Sequence, residues 1–320
     1  MIKLFDAFAG YGGAHFALEK AKIDFKPIGF SENDPFASIL YELNHPGIKN
    51  FGDITKIDPK DLPDFNFFTG GFPCQPFSSA GLGEGEGDTR GTLFHDVLRI
   101  CEYKRPEFIL LENVKGLITK RHTSTLNTIK AKLRGLGYYV HVELLNTKYF
   151  GIPQNRERVW IYARLDGEQS DYPENFTLAP EKYKIDPIPH LKNFLDENPE
   201  EELYRSKKQI ERLEEIHEVD FNVDDFCCLD IYNKKIRTDG ISITITEPHH
   251  NSLRIVEPPI DGVFKVRKLS MKEHFRLMGF DEGQIDFGGQ SYQQICKRAG
   301  NGWDINIASI IMQTIFKKNN

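Results

Sequence analysis

Over the first 165 residues of this 320-residue chain, short apolar runs alternate with stripes of helical period. Ile2–Phe5, Lys26–Ser31, Asn66–Thr69 and Glu107–Leu111 read as strands, with a weaker one near Lys49–Gly52 and two more at Tyr138–Asn146 and Arg158–Leu165. Between them lie helical patterns at Ala14–Ala21, Phe36–Leu43 and Leu93–Tyr103, and a stripe formed by Leu126, Ile129, Leu133 and Leu136. Strands separated by helices predict an α/β fold: a parallel sheet with helices on both faces.

The texture changes near Asp166. From there to about residue 264 come proline-rich polar segments, one charged helix (Glu200–Glu218) and the alternating β-branched run Gly240–Thr246. Helical patterns return at Ser270–Met278, Tyr292–Arg298 and Asp304–Lys317. A chain of this length exceeds one ordinary core, so a large domain and a smaller one are expected.

Composition adds boundaries. Hydrophobic residues make up 39% and charged residues 28%, and no apolar run approaches a membrane span. Met1 leads straight into a strand pattern, so no signal peptide and a cytoplasmic location are expected. Five cysteines (Cys74, Cys101, Cys227, Cys228, Cys296) without a C-x-x-C pair indicate neither a disulfide framework nor a metal site. The net charge of −6 gives no bulk argument for a nucleic-acid partner; basic residues cluster locally, at 115–134 and 265–276.

Two loops carry candidate chemistry. Cys74 stands between Pro73 and Pro76 directly after an apolar run, on a segment that cannot be regular helix or central strand, and so offers a stiff seat for a thiolate. Such a cysteine is equally at home as a small buried hydrophobe. The first strand runs into Phe8-Ala9-Gly10-Tyr11-Gly12-Gly13 and then a helix. That glycine-rich turn lets backbone approach a ligand, but His15 falls where the last glycine of a dinucleotide fingerprint would be, which suits a nucleoside without pyrophosphate, such as S-adenosylmethionine. Glu32, after strand two, is placed to accept from ribose hydroxyls, and Asp53 from an adenine amino group; each could also be a turn or helix-cap carboxylate.

Taken in order, these pieces resemble the cytosine-C5 DNA methyltransferase family. The resemblance rests on Phe8–Gly13, Glu32, Gly52-Asp53-Ile54, the loop from Gly71 through Cys74 to Ser78, Arg90–Phe94, Glu112-Asn113-Val114, Gln154–Arg158, Arg267–Ser270, Arg276–Phe280 and Gly300-Asn301. It implies a Rossmann-like S-adenosylmethionine-dependent methyltransferase sheet. Residues 1–165 and 265–320 would form a discontinuous catalytic and cofactor domain, with 166–264 as the target-recognition domain. Phe8, Gly10, Gly12, Gly13, Glu32, Asn33, Asp53, Pro73, Leu93 and Asn301 would line the cofactor, with S-adenosylhomocysteine as product and no metal. Two positions depart from the family pattern. Asn33 stands where an apolar cover for the adenine is common, leaving stacking to another residue such as Phe8, and Gly302-Trp303 replaces a small residue and valine.

The implied chemistry is addition of the Cys74 thiolate to C6 of a flipped-out cytosine, which makes C5 nucleophilic. Glu112, kept protonated by burial, would donate to N3; Arg158, with Arg156 beside it, would stabilise O2, and Asn113 would shape the pocket. The glycine-spaced segment Ser78–Thr89 is expected to close over the base and to be mobile without DNA. Ser78, Gln75, Arg237, Thr244 and Arg254 are the candidate DNA contacts, Thr244-Ile245 being similar to a Thr-Leu type recognition dipeptide. The expected partner is double-stranded DNA, with a restriction endonuclease acting on the same site without a stable complex, no membrane, and a monomeric state. Alternatives are tRNA cytosine-5 methylation by the family's RNA-directed branch, against which the missing Cys-Phe-Thr tripeptide counts, and a non-catalytic DNA-binding homologue.

Overall fold

The structure is a computed structural model describing residues 1–72, 93–166, 175–217, 220–248 and 252–317. The chain divides into two compact units: Met1–Leu145 with Glu157–Ala179 and Ser309–Asn320, and Asn146–Arg156 with Pro180–Ala308.

The first unit is built on a six-stranded sheet. Its strands are β1 (Ile2–Ala7), β2 (Phe25–Ser31), β3 (Phe67–Gly71), β4 (Phe108–Val114), β5 (Tyr138–Asn146) and β7 (Glu157–Leu165), in the order β2-β1-β3-β4-β7-β5. β2, β1, β3 and β4 are parallel, as the alternating pattern predicts; β7 runs antiparallel to β4, so the sheet is mixed. The weak strand expected near Lys49 is a single bridge between Phe30 and Asn50. Asn50 explains this: its side chain bonds the Glu32 backbone and the Gly52 N–H, so the segment folds into a turn instead of extending a ladder.

Among the described residues, four α-helices belong wholly to this unit. α1 (Gly13–Lys20) follows the glycine-rich turn, and α2 (Pro35–Asn44) starts where Asp34 accepts from the Phe36 and Ala37 N–H groups with Pro35 in its first turn. α3 (Leu93–Lys104) and α4 (Thr123–Gly135) place Phe94, Val97, Cys101, Ile129 and Leu133 against Phe5, Phe68, Ile109, Leu111 and Ile161 of the sheet, all buried. Alternation turns Phe67 and Phe108 to the other face, where Phe316 meets both edge-on at 5.0 and 5.1 Å. Phe316 ends α8 (Ile305–Phe316), whose residues from Ser309 onward belong to this unit.

The second unit holds β6 (Gln154–Asn155), which pairs in parallel with β10 (Ser242–Ile243), and a four-stranded sheet β12-β11-β8-β9 from β8 (Cys227–Asp230), β9 (Lys235–Arg237), β11 (Leu253–Ile260) and β12 (Val263–Arg267). The run expected as one strand at 240–246 pairs only over Ser242–Ile243. α5 (Lys207–His217) is shorter than its charged pattern suggested. α6 (Met271–Arg276) and α7 (Tyr292–Asn301) each begin with a reciprocal capping box, Ser270 with Glu273 and Ser291 with Gln294. Among the described residues no helix is long and apolar enough to cross a membrane.

Candidate functional site

In the first unit, candidate residues gather at the carboxyl ends of the parallel strands, where open α/β sheets bind ligands. β1 ends in a turn whose backbone is forced: Phe8 takes φ +52°, Gly10 +58° and Gly12 +90°. A side chain on Gly12 would be strained by that φ, and its Cβ would lie 2.8 Å from the His45 ring. His45 is itself buried and stacked on His15 with ring centroids 3.6 Å apart, and burial lowers its pKa to about 3, so the ring that braces the turn is neutral. On the open side, a Cβ on Gly10 would meet nothing within 4 Å.

Glu32 follows β2, and its carboxylate accepts from the Gly10 N–H at 2.9 Å and the Asp34 N–H at 2.8 Å. The acid and the glycine turn are therefore one assembly. Asn33 is exposed beside it, and Phe8 packs on the sheet core. Asp53 caps a short 3-10 turn, accepting from the hydroxyl and N–H of Thr55; these bonds hold its carboxyl below the usual range. A backbone turn that is open at Gly10 and flanked by two carboxyl groups fits a nucleoside with hydroxyl and amino donors.

One residue here was not singled out from sequence. Asp6, on β1, is buried; one carboxyl oxygen accepts from Thr69 Oγ1 at 2.6 Å and the other is buried without a partner. Burial first, and the neighbouring Glu32 charge last, raise its pKa to about 7. The only signal in the sequence is an acid at the sheet-buried end of an apolar strand.

Glu112 lies near the end of β4, across from Trp160 of β7, and accepts from Arg158 Nε at 2.8 Å. Both side chains are largely buried, so this pair has low-dielectric surroundings. The register Asp6–Thr69–Leu110 and Gly71–Glu112 puts Asp6, Thr69 and Glu112 on one face of the sheet. Asn113, turned the other way, donates to the Phe72 carbonyl at 2.9 Å and accepts from the Val114 N–H, tying the end of β4 to the chain leaving β3. Leu93 begins α3 and packs against the core. Pro73, Cys74, Gln75, Ser78 and the expected closing segment 78–89 lie outside the described residues.

The second unit holds the rest. Arg156 is buried, and its guanidinium donates to the carbonyls of Ile245 (3.0 Å), Gly300 (3.2 Å) and Gly302 (2.8 Å). Its role there is to clamp backbone. Gly300 is needed at the same place, since a Cβ would lie 2.4 Å from the Thr246 carbonyl carbon. Thr244 Oγ1 donates to the Asn155 carbonyl, and Ile245 N–H to Gln154 Oε1, which anchors the Thr-Ile pair. Asn301 is exposed at the end of α7, and Trp303 is buried. Arg237 is held by Asp239. Arg254 is half-buried and donates to the Leu253 carbonyl.

Residues 2–317 match the family described as C-5 cytosine-specific DNA methylase. Type II methyltransferase M.HaeII of Haemophilus aegyptius is 36% identical over 314 residues, covering 97% of this chain and 91% of that protein. Type II methyltransferase M.NlaX of Neisseria lactamica is 47% identical over 166 residues, 52% of this chain and 53% of its own length. Among solved structures, a DNMT2 mutant of Spodoptera frugiperda has a TM-score of 0.77 at 19% identity, covering 99% of this chain and 100% of that one. That likeness is one of fold.

Proposed function

Since the chain belongs to the C-5 cytosine-specific DNA methylase family and is by that membership a DNA cytosine-5 methyltransferase, we propose that it methylates cytosine in a short duplex site through a covalent Cys74–C6 adduct. The observation that carries this reading is the pairing of Glu112, on β4, with Arg158, on β7, beside the end of β3, the strand that precedes Cys74 in the chain.

S-adenosylmethionine, the family's methyl donor, supplies an electrophilic methyl group when bound. The Gly10–Gly13 turn, Glu32 and Asp53 would hold it, with Phe8 covering the adenine. The Cys74 thiolate forms the S–C6 bond, and the electron pair displaced from the C5–C6 bond makes C5 the nucleophile. Glu112 donates to N3 and Arg158 to O2, stabilising the charge that develops on the ring. After C5 has gained its methyl, a base takes the C5 proton and the S–C6 bond breaks, releasing Cys74. Arg156 is a positioning residue, holding the 245 and 300–302 backbone. Residues 166–264 would read the target, with Thr244-Ile245 as the anchored recognition pair and Gln75 and Ser78 near the flipped base.

The test is bisulfite sequencing of plasmid from a host without cytosine methylation that expresses the protein. Protected cytosines in one short context are expected, and Cys74→Ala should abolish them. Complete conversion with folded protein would refute the DNA reading, and tRNA is then the substrate to assay.

A further inference from the structure

A pocket of about 410 Å³ in the second unit has Arg205, Arg254, Lys268 and Tyr292 in its lining. Three of the eight described lining residues are cations, brought together from three places in the chain: the approach to α5, β11, and the residue after β12. All three are half-buried, and none of the described residues lining the pocket is acidic. Arg205 Nε is buried without a hydrogen-bond partner. The Lys268 ammonium lies 5.5 Å from the Tyr292 ring centroid, and the Tyr292 hydroxyl donates to the Leu269 carbonyl at 2.8 Å, so that wall is fixed and neutral.

Like charges gathered in a half-buried space repel one another, and the cost appears in their protonation. Burial and then Arg205 lower the pKa of Arg254 to about 10, and burial, Arg254 and Arg205 lower that of Lys268. Cys296, which also borders the space, contributes no negative charge near neutrality because burial pushes its thiol up to about 12. An anion entering the pocket removes this repulsion.

We propose that this pocket takes one phosphodiester of the DNA backbone, with Arg205, Arg254 and Lys268 as its donors. The volume accommodates a phosphate with its flanking sugars, whereas the convergent cations and the absence of a carboxylate among the described lining residues suit phosphate better than a base edge. The pocket would therefore position the duplex without reading sequence. This rests on the DNA reading above.

The test uses the full chain and its Lys268→Gln and Arg205→Gln variants, each checked for wild-type near-UV circular dichroism. Affinity is measured from roughly 50 to 200 mM salt for a duplex carrying the mapped site and for a scrambled duplex. Each variant should bind about tenfold more weakly, equally for both duplexes, with the log–log salt slope smaller by about one. Unchanged affinity and slope in both folded variants overturn the proposal. So does a loss confined to the mapped site, which would mean base readout. If inorganic phosphate protects wild type but not the variants while DNA affinity is unchanged, the pocket serves a free anion and the proposal is also overturned. Wild-type protein that methylates no DNA would instead defeat the underlying function.

Discussion

At the scale of single residues, Glu112 and Arg158 carry the sharpest expectation. Glu112→Gln keeps the volume but changes the donor pattern, and kcat should fall by about 10²–10³-fold with little change in cofactor affinity, read by single-turnover methyl transfer. Asp6 carries a pH expectation. Its folded pKa, about 7, lies above the unfolded value near 3.8, so the folded state holds the extra proton between them. The resulting stability is present below pH 4 and is lost as pH rises toward 7. Asp6→Asn should therefore be more stable than wild type at pH 8 by on the order of 1–4 kcal/mol, with the gap closing toward pH 4. Urea melts at several pH values check this; a constant gap would refute it. The glycine turn was legible because its spacing after an apolar strand calls for positive φ, whereas its bond to Glu32 was not. Arg156 and Arg158 were not separable, since two arginines two residues apart look alike until one is seen on carbonyls and the other on a carboxylate.

At the scale of elements, Arg267 is the pivot of the second unit's sheet edge. It is fully buried between Glu257 (2.7 Å) and Glu273 (2.8 Å), and Glu273 also closes the capping box of α6. Although burial opposes its charge, these carboxylates hold the guanidinium well above its usual pKa. Arg267→Met would strand two carboxylates and should cost about 3–5 kcal/mol, measured by chemical denaturation. Much of this unit was hidden in the sequence. β11 contains Pro258 and Pro259, which read as loop, and the ladder with β12 shifts register between Glu257 and Ile260 to accommodate them. The reversed direction of β7 was also invisible, because a strand buried on both faces has the same apolar run in either direction.

For the whole molecule, the first unit is assembled from three stretches of chain, and its last stretch brings Ile310, Ile311 and Met312, all buried, together with Phe316. Termination at residue 308 should therefore abolish cooperative unfolding of this unit and, with it, cofactor binding, as scanning calorimetry and isothermal titration would show. The stripe of α8 was legible as a helix; what it packs against was not, because an apolar stripe does not say what it covers. The Phe316 contact has a consequence in time. A ribosome moves at about 5–20 residues per second, so one face of β3 and β4 waits for an aromatic ring added some two hundred residues after β4 is complete. Until then Phe67 and Phe108 lack that ring, so a holding chaperone would have its longest claim on this face of the sheet.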